Sequence, residues 1–246
     1  MSAPTLRAGI IAAGRGERLR TKAPVPKPLV KVGGRTLIEH VLTSFESAGA
    51  SEVAVIINEE SQAVRDHVSS FRWPFDIRWI VETTPSSMHS FLRVVEELAQ
   101  SGDDGPFLIS TVDTVATPGA YAHFMAEARR HTDAVLALAV APRGLDEKPL
   151  LVELEGAAVV AIGDDAGSSE YATAGLYAAR ATILREASDA RRDQLHALRA
   201  LLGRLVARGY PVVGIPIPMS IDVDDATDAR VAEELVRRWQ KSALGG

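Results

Sequence analysis

Through the first half of the chain, short apolar runs rich in Val and Ile alternate with segments of helical period, the pattern of a mostly parallel sheet flanked by helices. Ala8-Gly9-Ile10-Ile11-Ala12 reads as a buried strand, because an uninterrupted apolar run needs cover on both faces. Leu37, Val41, Phe45 and Ala48 share one helical face closed by Gly49, and Val53 to Ile57 forms a second buried strand. A helix starts at Ser61 and runs through Val64 and Val68, and Ile77 to Val81 is a third strand. Met88, Phe91, Leu92, Val95 and Leu98 line the next helix, which Gly105-Pro106 separates from a strand at Phe107 to Ser110. The second half is less regular. Ala134 to Val140, Leu150 to Leu154, Val159 to Ile162 and Ala174 to Ala178 follow one another as strands. A helix through Leu195, Leu198, Leu202 and Leu205, a strand at Pro211 to Ile215 and a closing helix at Val231 to Trp239 complete the chain. The expected fold is α/β, a three-layer α/β/α arrangement with a mostly parallel mixed central sheet. We read residues 1–246 as one domain with a regular half, about 1–115, and a second half, about 116–246.

Composition narrows the class. With 246 residues, 46% of them hydrophobic, the chain is long enough to bury roughly 70–75% of its unfolded surface. Lys and Arg number 27 against 32 Asp and Glu, a net charge of −5, so no global positive field draws nucleic acid or anionic lipid. The absence of cysteine removes disulfides, thiolate nucleophiles and cysteine-bound metal together. The N-terminus lacks a basic-then-apolar leader pattern, and no apolar run approaches the roughly 20 residues of a membrane span. A cytoplasmic protein without membrane or nucleic-acid partners is expected; a homodimer stays open. The six histidines are scattered without metal-ligand spacing.

The chemistry gathers at the first strand's end. Ala12 leads into Ala13-Gly14-Arg15-Gly16-Glu17-Arg18-Leu19 and then Pro26-Lys27-Pro28-Leu29. Small residues after a buried strand let backbone N–H groups approach an anion, and Arg18 and Lys27 add fixed positive charge. Gly-x-Gly alone is equally a tight turn. Leu19 stands where a dinucleotide-binding loop has its third glycine, and Gly-Lys-Ser/Thr is absent. Two acidic stretches accompany this loop. Asp113, in Thr111-Val112-Asp113-Thr114, follows a strand at the carboxyl edge where open α/β sheets bind ligands, although a turn aspartate has the same look. Ile221-Asp222-Val223-Asp224-Asp225-Ala226-Thr227-Asp228 precedes the last helix, where acidic residues also serve as caps.

The stretch from Ala12 to Ile38, with Val30, Val32, Gly34, Arg35 and Leu37, resembles the signature of the sugar-1-phosphate and alcohol-phosphate nucleotidyltransferases. Thr173-Ala174-Gly175-Leu176-Tyr177 resembles the same family's Asn-Ala-Gly-Ile-Tyr. The resemblance implies a Rossmann-like fold of the nucleotide-diphospho-sugar transferase type. It also implies Mg²⁺-dependent joining of a nucleoside triphosphate to a phosphomonoester, with release of pyrophosphate. It assigns Arg18 and Lys27 to catalysis, Asp113, Asp222 and Asp224 to Mg²⁺, and Ala12, Ala13, Gly14, Gly16, Glu17 and Ser87 to the nucleotide. His89, Thr173, Ala174 and Gly175 go to the acceptor, and the two halves become nucleotide-binding and acceptor-binding. Pro85-Ser86-Ser87-Met88-His89-Ser90-Phe91-Leu92 replaces the common Gly-Thr-Ala-x-Ala and is closer to cytidylyltransferases acting on choline or inositol phosphates. That reading, and a nucleotide-binding relative without turnover, are the alternatives.

Overall fold

In the computed structural model, which describes residues 5–14, 25–100, 102, 104–143 and 149–244, a nine-stranded sheet runs through both halves of the chain. Its parallel part is built from β1 (Leu6–Ala12), β4 (Ala50–Ile57), β5 (Asp76–Val81) and β6 (Phe107–Thr111), in the order β5-β4-β1-β6. Between β1 and β4 lie a single 3₁₀ turn at Lys27–Leu29 and a small hairpin, β2 (Lys31–Val32) and β3 (Arg35–Thr36). The order continues through β11 (Tyr171–Ala179), β8 (Leu136–Pro142), β12 (Val212–Pro216), β10 (Ala158–Ile162) and β9 (Val152–Glu155). β11 is antiparallel to both neighbours and β8 and β12 are parallel, so among the described strands of this sheet only β10 and β11 run against the rest. The mixed, mostly parallel sheet is the one read from the hydrophobic pattern.

Helices cover both faces. On one side lie α1 (Leu37–Ser47), α2 (Gln62–Ser69) and, further along, α4 (Ala120–Ala128), which meet the sheet through Ile38, Phe45, Val64, Phe124 and Met125. On the other lie α3 (Ser87–Ala99), α5 (Ala187–Arg192) and α6 (Leu198–Ala207), packed through Met88, Phe91, Val95, Ala190 and Leu202. α1 opens on a capping box, in which Thr36 accepts from the Glu39 N–H while the Glu39 carboxylate accepts from the Thr36 N–H. α4 has no counterpart in the periodic pattern. It is apolar on most sides, so no stripe stands out against its neighbours.

A third, smaller cluster sits beyond one edge of the carboxyl-end cleft. The last helix, α7 (Ala226–Leu244), lays Ala232 and Val236 on Val32, Leu37, Val115 and Val223. Val32 comes from β2, Leu37 from the start of α1, Val115 from β7 (Thr114–Ala116), and Val223 directly follows β13 (Ser220–Asp222), which pairs with β7 as a two-stranded ribbon. Glu233 on α7 also accepts the Gly33 N–H of the hairpin at 2.7 Å. The Lys27 turn, the β7–β13 ribbon and α7 are thereby held as one unit over the end of the parallel strands. Among the described residues, no helix is long and apolar enough to cross a membrane.

α3 lies so close to β1 that a Cβ at Gly9 would collide with Val94 Cγ1 and crowd Leu98 at 3.3 Å. Gly9→Ala should therefore cost about 1–3 kcal/mol of stability through overpacking, read as a lowered urea midpoint with unchanged slope. A wild-type midpoint would show that α3 shifts away at no cost.

Candidate active site

The site begins with a lysine on a stiff turn. Pro26 and Pro28 flank Lys27, and their rings fix two backbone φ angles of the 3₁₀ turn. The Leu29 N–H closes the turn on the Pro26 carbonyl at 2.8 Å, and buried Pro28 anchors it. The Lys27 ammonium donates to Asp113 Oδ2 at 2.5 Å and to Asp224 Oδ1 at 2.7 Å. The side chain of Lys27 is only 12% exposed. Burial works against its charge, yet the two carboxylates more than offset this and raise its pKa above the ordinary lysine value.

Three acidic groups meet here for reasons of register. Asp113 lies in the turn between β6 and β7, and its carbonyl accepts the Val223 N–H at 3.0 Å. In the antiparallel ribbon Asp222 pairs with Thr114 and Ile221 with Val115. Alternation along the strand sends Ile221 and Val223 into the apolar cluster under α7 and Asp222 to the opposite face. There Asp222 Oδ1 accepts the Thr114 hydroxyl at 2.9 Å, and Thr114 lies 2.8 Å from the Thr111 hydroxyl. Asp222 is exposed as a residue, but Thr114 and the Gly175 backbone lie close against its carboxyl. Burial, followed by the nearby negative charge of Asp113, pushes its carboxyl up to about 7.

The other two acids of this stretch do something else. Asp225 Oδ1 accepts the N–H groups of Thr227 and Asp228 at 2.6 and 3.1 Å, and Asp228 Oδ2 accepts those of Asp224 and Asp225 at 2.9 and 3.0 Å. They cap α7, whereas Asp222 and Asp224 face the cleft.

β11 forms the adjoining wall. Gly175 has a φ of +65°, and a Cβ there would overlap the Thr114 hydroxyl, approach Thr111 Oγ1 at 2.8 Å and come within 3.1 Å of Asp222 Oδ1. Only glycine leaves Asp222 this room. The pairing of β11 with β8 slips between Thr173 and Tyr177, so Thr173 and Ala174 pass the site on the irregular part of the strand. Beneath, Tyr121 shares a 2.7 Å hydrogen bond with Ser110. Burial, added to by the charges of Asp222 and Asp113, pushes the phenols of Tyr121 and Tyr177 up. Both stay neutral, Tyr121 packed on Phe45 on one face of the sheet and Tyr177 on Phe91 on the other.

Ala12 and Ala13 are buried at the end of β1 and Gly14 is exposed. Gly16, Glu17 and Arg18 lie outside the described residues. Ser87, expected at the nucleotide, opens α3; its hydroxyl accepts the Leu198 N–H at 3.0 Å and ties α3 to α6. His89 Nδ1 lies 2.9 Å from the Ser86 hydroxyl. Burial, then the nearby Arg191 and His196, hold its pKa below the usual histidine value. Asn58, which the sequence pattern does not single out, is buried beside the loop and donates from Nδ2 to the Ala13 carbonyl at 3.2 Å. Its signal was only a polar residue directly after an apolar strand. No cluster of three or more His, Asp or Glu among the described residues has a ready ligand geometry; Lys27 already neutralises two of the carboxylates.

A family model described as MobA-like NTP transferase domain matches residues 8–208. The chain is 30% identical over 248 residues to a bifunctional IPC transferase and DIPP synthase of Rubrobacter xylanophilus, covering 97% of this chain and 54% of that protein. It is 29% identical over 213 residues to the CMP-5'-(3-aminopropyl)phosphonate synthase of Streptomyces rubellomurinus, covering 83% and 32%. The chain thus spans about half of the first relative and a third of the second. Among solved structures, the inositol-1-phosphate CTP transferase from T. maritima superposes with a TM-score of 0.77 at 19% identity, covering 95% and 96% of the two chains. A UDP-glucose pyrophosphorylase complexed with UDP-glucose gives 0.77 at 14% identity, covering 96% and 99%. These two likenesses establish the fold.

Asp222 makes stability depend on pH in a stated direction. Between 3.8 and about 7 the folded carboxyl keeps a proton that the unfolded chain has given up. Its contribution is therefore full below that window and declines as pH rises through it. In chelator-treated protein the urea midpoint should fall from pH 4 to 7 more steeply for wild type than for Asp222→Asn. Parallel profiles would remove the raised carboxyl.

Proposed function

Because the chain belongs to the MobA-like NTP transferase domain family, we propose that it joins a nucleoside triphosphate to a phosphomonoester, a sugar-1-phosphate or an alcohol phosphate, and releases pyrophosphate. One observation carries the reading: a buried lysine on a Pro-Lys-Pro turn gathers Asp113 and Asp224 beside Asp222, at the carboxyl edge of β1 and β6. Cation and carboxylates in one cleft suit a reaction between two anions that must be held in line.

In this reading a phosphate oxygen of the acceptor attacks the α-phosphorus, the new P–O bond forms, and the bond to the β-phosphate breaks with its electron pair leaving on pyrophosphate. The acceptor is already ionised, so no strong base is needed, and catalysis rests on alignment and charge neutralisation. Ala12, Ala13 and Gly14, with Gly16, Glu17 and Ser87, border the nucleotide; Arg18 holds the β- and γ-phosphates. Lys27 moves from its carboxylates onto the α-phosphate and the acceptor phosphate. Thr173, Ala174, Gly175 and His89 border the acceptor, and the two halves of the chain act as one catalytic domain.

The donor set suits a hard cation: carboxylate oxygens without sulfur, and room beside Asp222 that any side chain at 175 would fill. Asp113 and Asp222, with Asp224, would hold Mg²⁺, which when bound supplies positive charge to the triphosphate. Displacing Lys27 from Asp113 frees both the carboxylate for the ion and the ammonium for phosphate.

Cytidylyl transfer to an inositol- or choline-type phosphate is favoured as the narrower reading by the Pro85 to Leu92 segment and by two of the similar proteins, one named a CMP-5'-(3-aminopropyl)phosphonate synthase and one an inositol-1-phosphate CTP transferase. The test crosses four nucleoside triphosphates with sugar-1-phosphates, phosphocholine and inositol phosphate, scored by pyrophosphate release with Mg²⁺. Release with one pair supports the reading, with CTP and inositol phosphate expected to lead. No release with any pair, while a triphosphate still binds, would instead favour a relative without turnover.

Arg18→Ala and Lys27→Ala should each lower kcat about 30- to 1000-fold, the effect of removing about 2–4 kcal/mol of charge stabilisation from the transition state. Near-normal kcat in both would overturn their assignment.

A further inference from the structure

The last rung between β1 and β4 pairs Ala12 with Ile57. Asn58, one residue beyond, continues the ladder with its side chain: Nδ2 donates to the Ala13 carbonyl at 3.2 Å, where a backbone N–H would otherwise be needed. The Asn58 side chain is also fixed at its other end. Oδ1 accepts the Ser61 hydroxyl at 2.7 Å and the Glu60 N–H at 3.1 Å, and both Asn58 and Ser61 are buried. The contacts of Oδ1 are enough to start α2. They leave the contact of Nδ2 with the loop unexplained.

That contact has a geometric consequence for the next residue. The Ala13–Gly14 peptide is trans, so its C=O and N–H point in opposite directions. With the carbonyl held by Asn58, the Gly14 N–H is turned away from Asn58. Gly14 is exposed, and among the described residues a Cβ on it would meet nothing within 4 Å, so none of them bars an anion from that N–H.

We infer that Asn58 is a positioning residue for the triphosphate, aiming the Gly14 N–H at a phosphate oxygen by fixing the Ala13 carbonyl. The inference rests on the nucleotidyltransferase reading and goes beyond it, since Asn58 itself touches no substrate. A neutral amide suits this task. It donates to one carbonyl and accepts from two donors without placing a charge beside the phosphates.

Two variants separate the roles. Asn58→Asp keeps the acceptor for Glu60 and Ser61 but puts an oxygen against the Ala13 carbonyl; Asn58→Ala removes the contact without adding charge. Dissociation constants for the four nucleoside triphosphates are measured by calorimetry with Mg²⁺, alongside Tm and the acceptor KM. Both variants should bind the preferred triphosphate about 10- to 100-fold more weakly, as expected for a lost hydrogen bond to a charged group. The acceptor KM should stay within about threefold, because the acceptor assignments lie on β11 and α3. Weakening by Asn58→Asp alone would be a charge effect, weakening by Asn58→Ala alone would be loss of the α2 start, and an equal rise in acceptor KM would be general collapse of the cleft. Each of these overturns the inference. Should Asn58→Ala not fold, Asn58→Ser replaces it as the neutral variant, with the same criteria. If wild type binds none of the four triphosphates, the nucleotidyltransferase reading fails and this inference with it; wild-type binding with unaffected variants removes the inference alone.

Discussion

Like charges have to be held together in this cleft against their repulsion, and much of the chain is arranged around that constraint. Asp113 and Asp222 sit near enough for the first to push up the second's pKa, and Asp224 shares a lysine with Asp113. Such a cluster disperses unless the backbone fixes it and a cation partly neutralises it. The backbone does so by hydrogen-bonding Val223 to Asp113 and pairing β13 with β7. The cation is Lys27, whose turn is stiffened by two prolines and leads into a hairpin clamped by α7. The parallel sheet places the strand ends, and this smaller unit outside the sheet loads them with charge.

The arrangement also explains a buried lysine that keeps its proton. Burial alone would favour the neutral amine. Two carboxylates at hydrogen-bonding distance reverse the balance, so the ammonium is stored in ion pairs until something more highly charged competes for it. An exposed pair would be screened by salt and contribute little; here the Lys27 side chain is only 12% and that of Asp113 only 21% exposed. Gly175 is where wall and charges meet, since the same missing Cβ permits its positive φ and leaves space at Asp222.

The parallel half of the fold was legible because both-face burial leaves uninterrupted apolar runs: β1, β4, β5 and β6 appear at the expected places, extended by a few residues. The ribbon of β7 and β13 was not, because three-residue strands carry too few positions to show a period, and their pairing joins segments far apart in the chain. α4 and α5 were hidden for other reasons, one apolar nearly all round and the other only six residues long. At the site, Lys27, Asp113, Asp222 and Asp224 were marked by motif and do converge. Ser87 was marked too, and its hydroxyl also joins two helices through Leu198, a contact no local pattern encodes. Asn58 went unmarked because one amide after a strand is indistinguishable from a turn residue until the loop it holds is seen.

The segment from Ile221 to Asp228 shows how little sequence this chemistry needs once each periodicity is used in turn. For its first residues the chain is extended, so alternate side chains face opposite ways: Ile221 and Val223 go to the apolar cluster and Asp222 to the cleft. Asp224, just past the strand, reaches Lys27. At Asp225 the chain turns helical, and spacing of three and four takes over, which brings Asp225 and Asp228 onto the orphan N–H groups of α7. The two caps thus fix the start of the helix whose Val236 and Glu233 grip the hairpin that follows Lys27's turn. Acidic residues that never enter the cleft therefore decide where its cation stands, and a stretch whose composition suggests one purpose divides its carboxylates between chemistry and the scaffold that aims it.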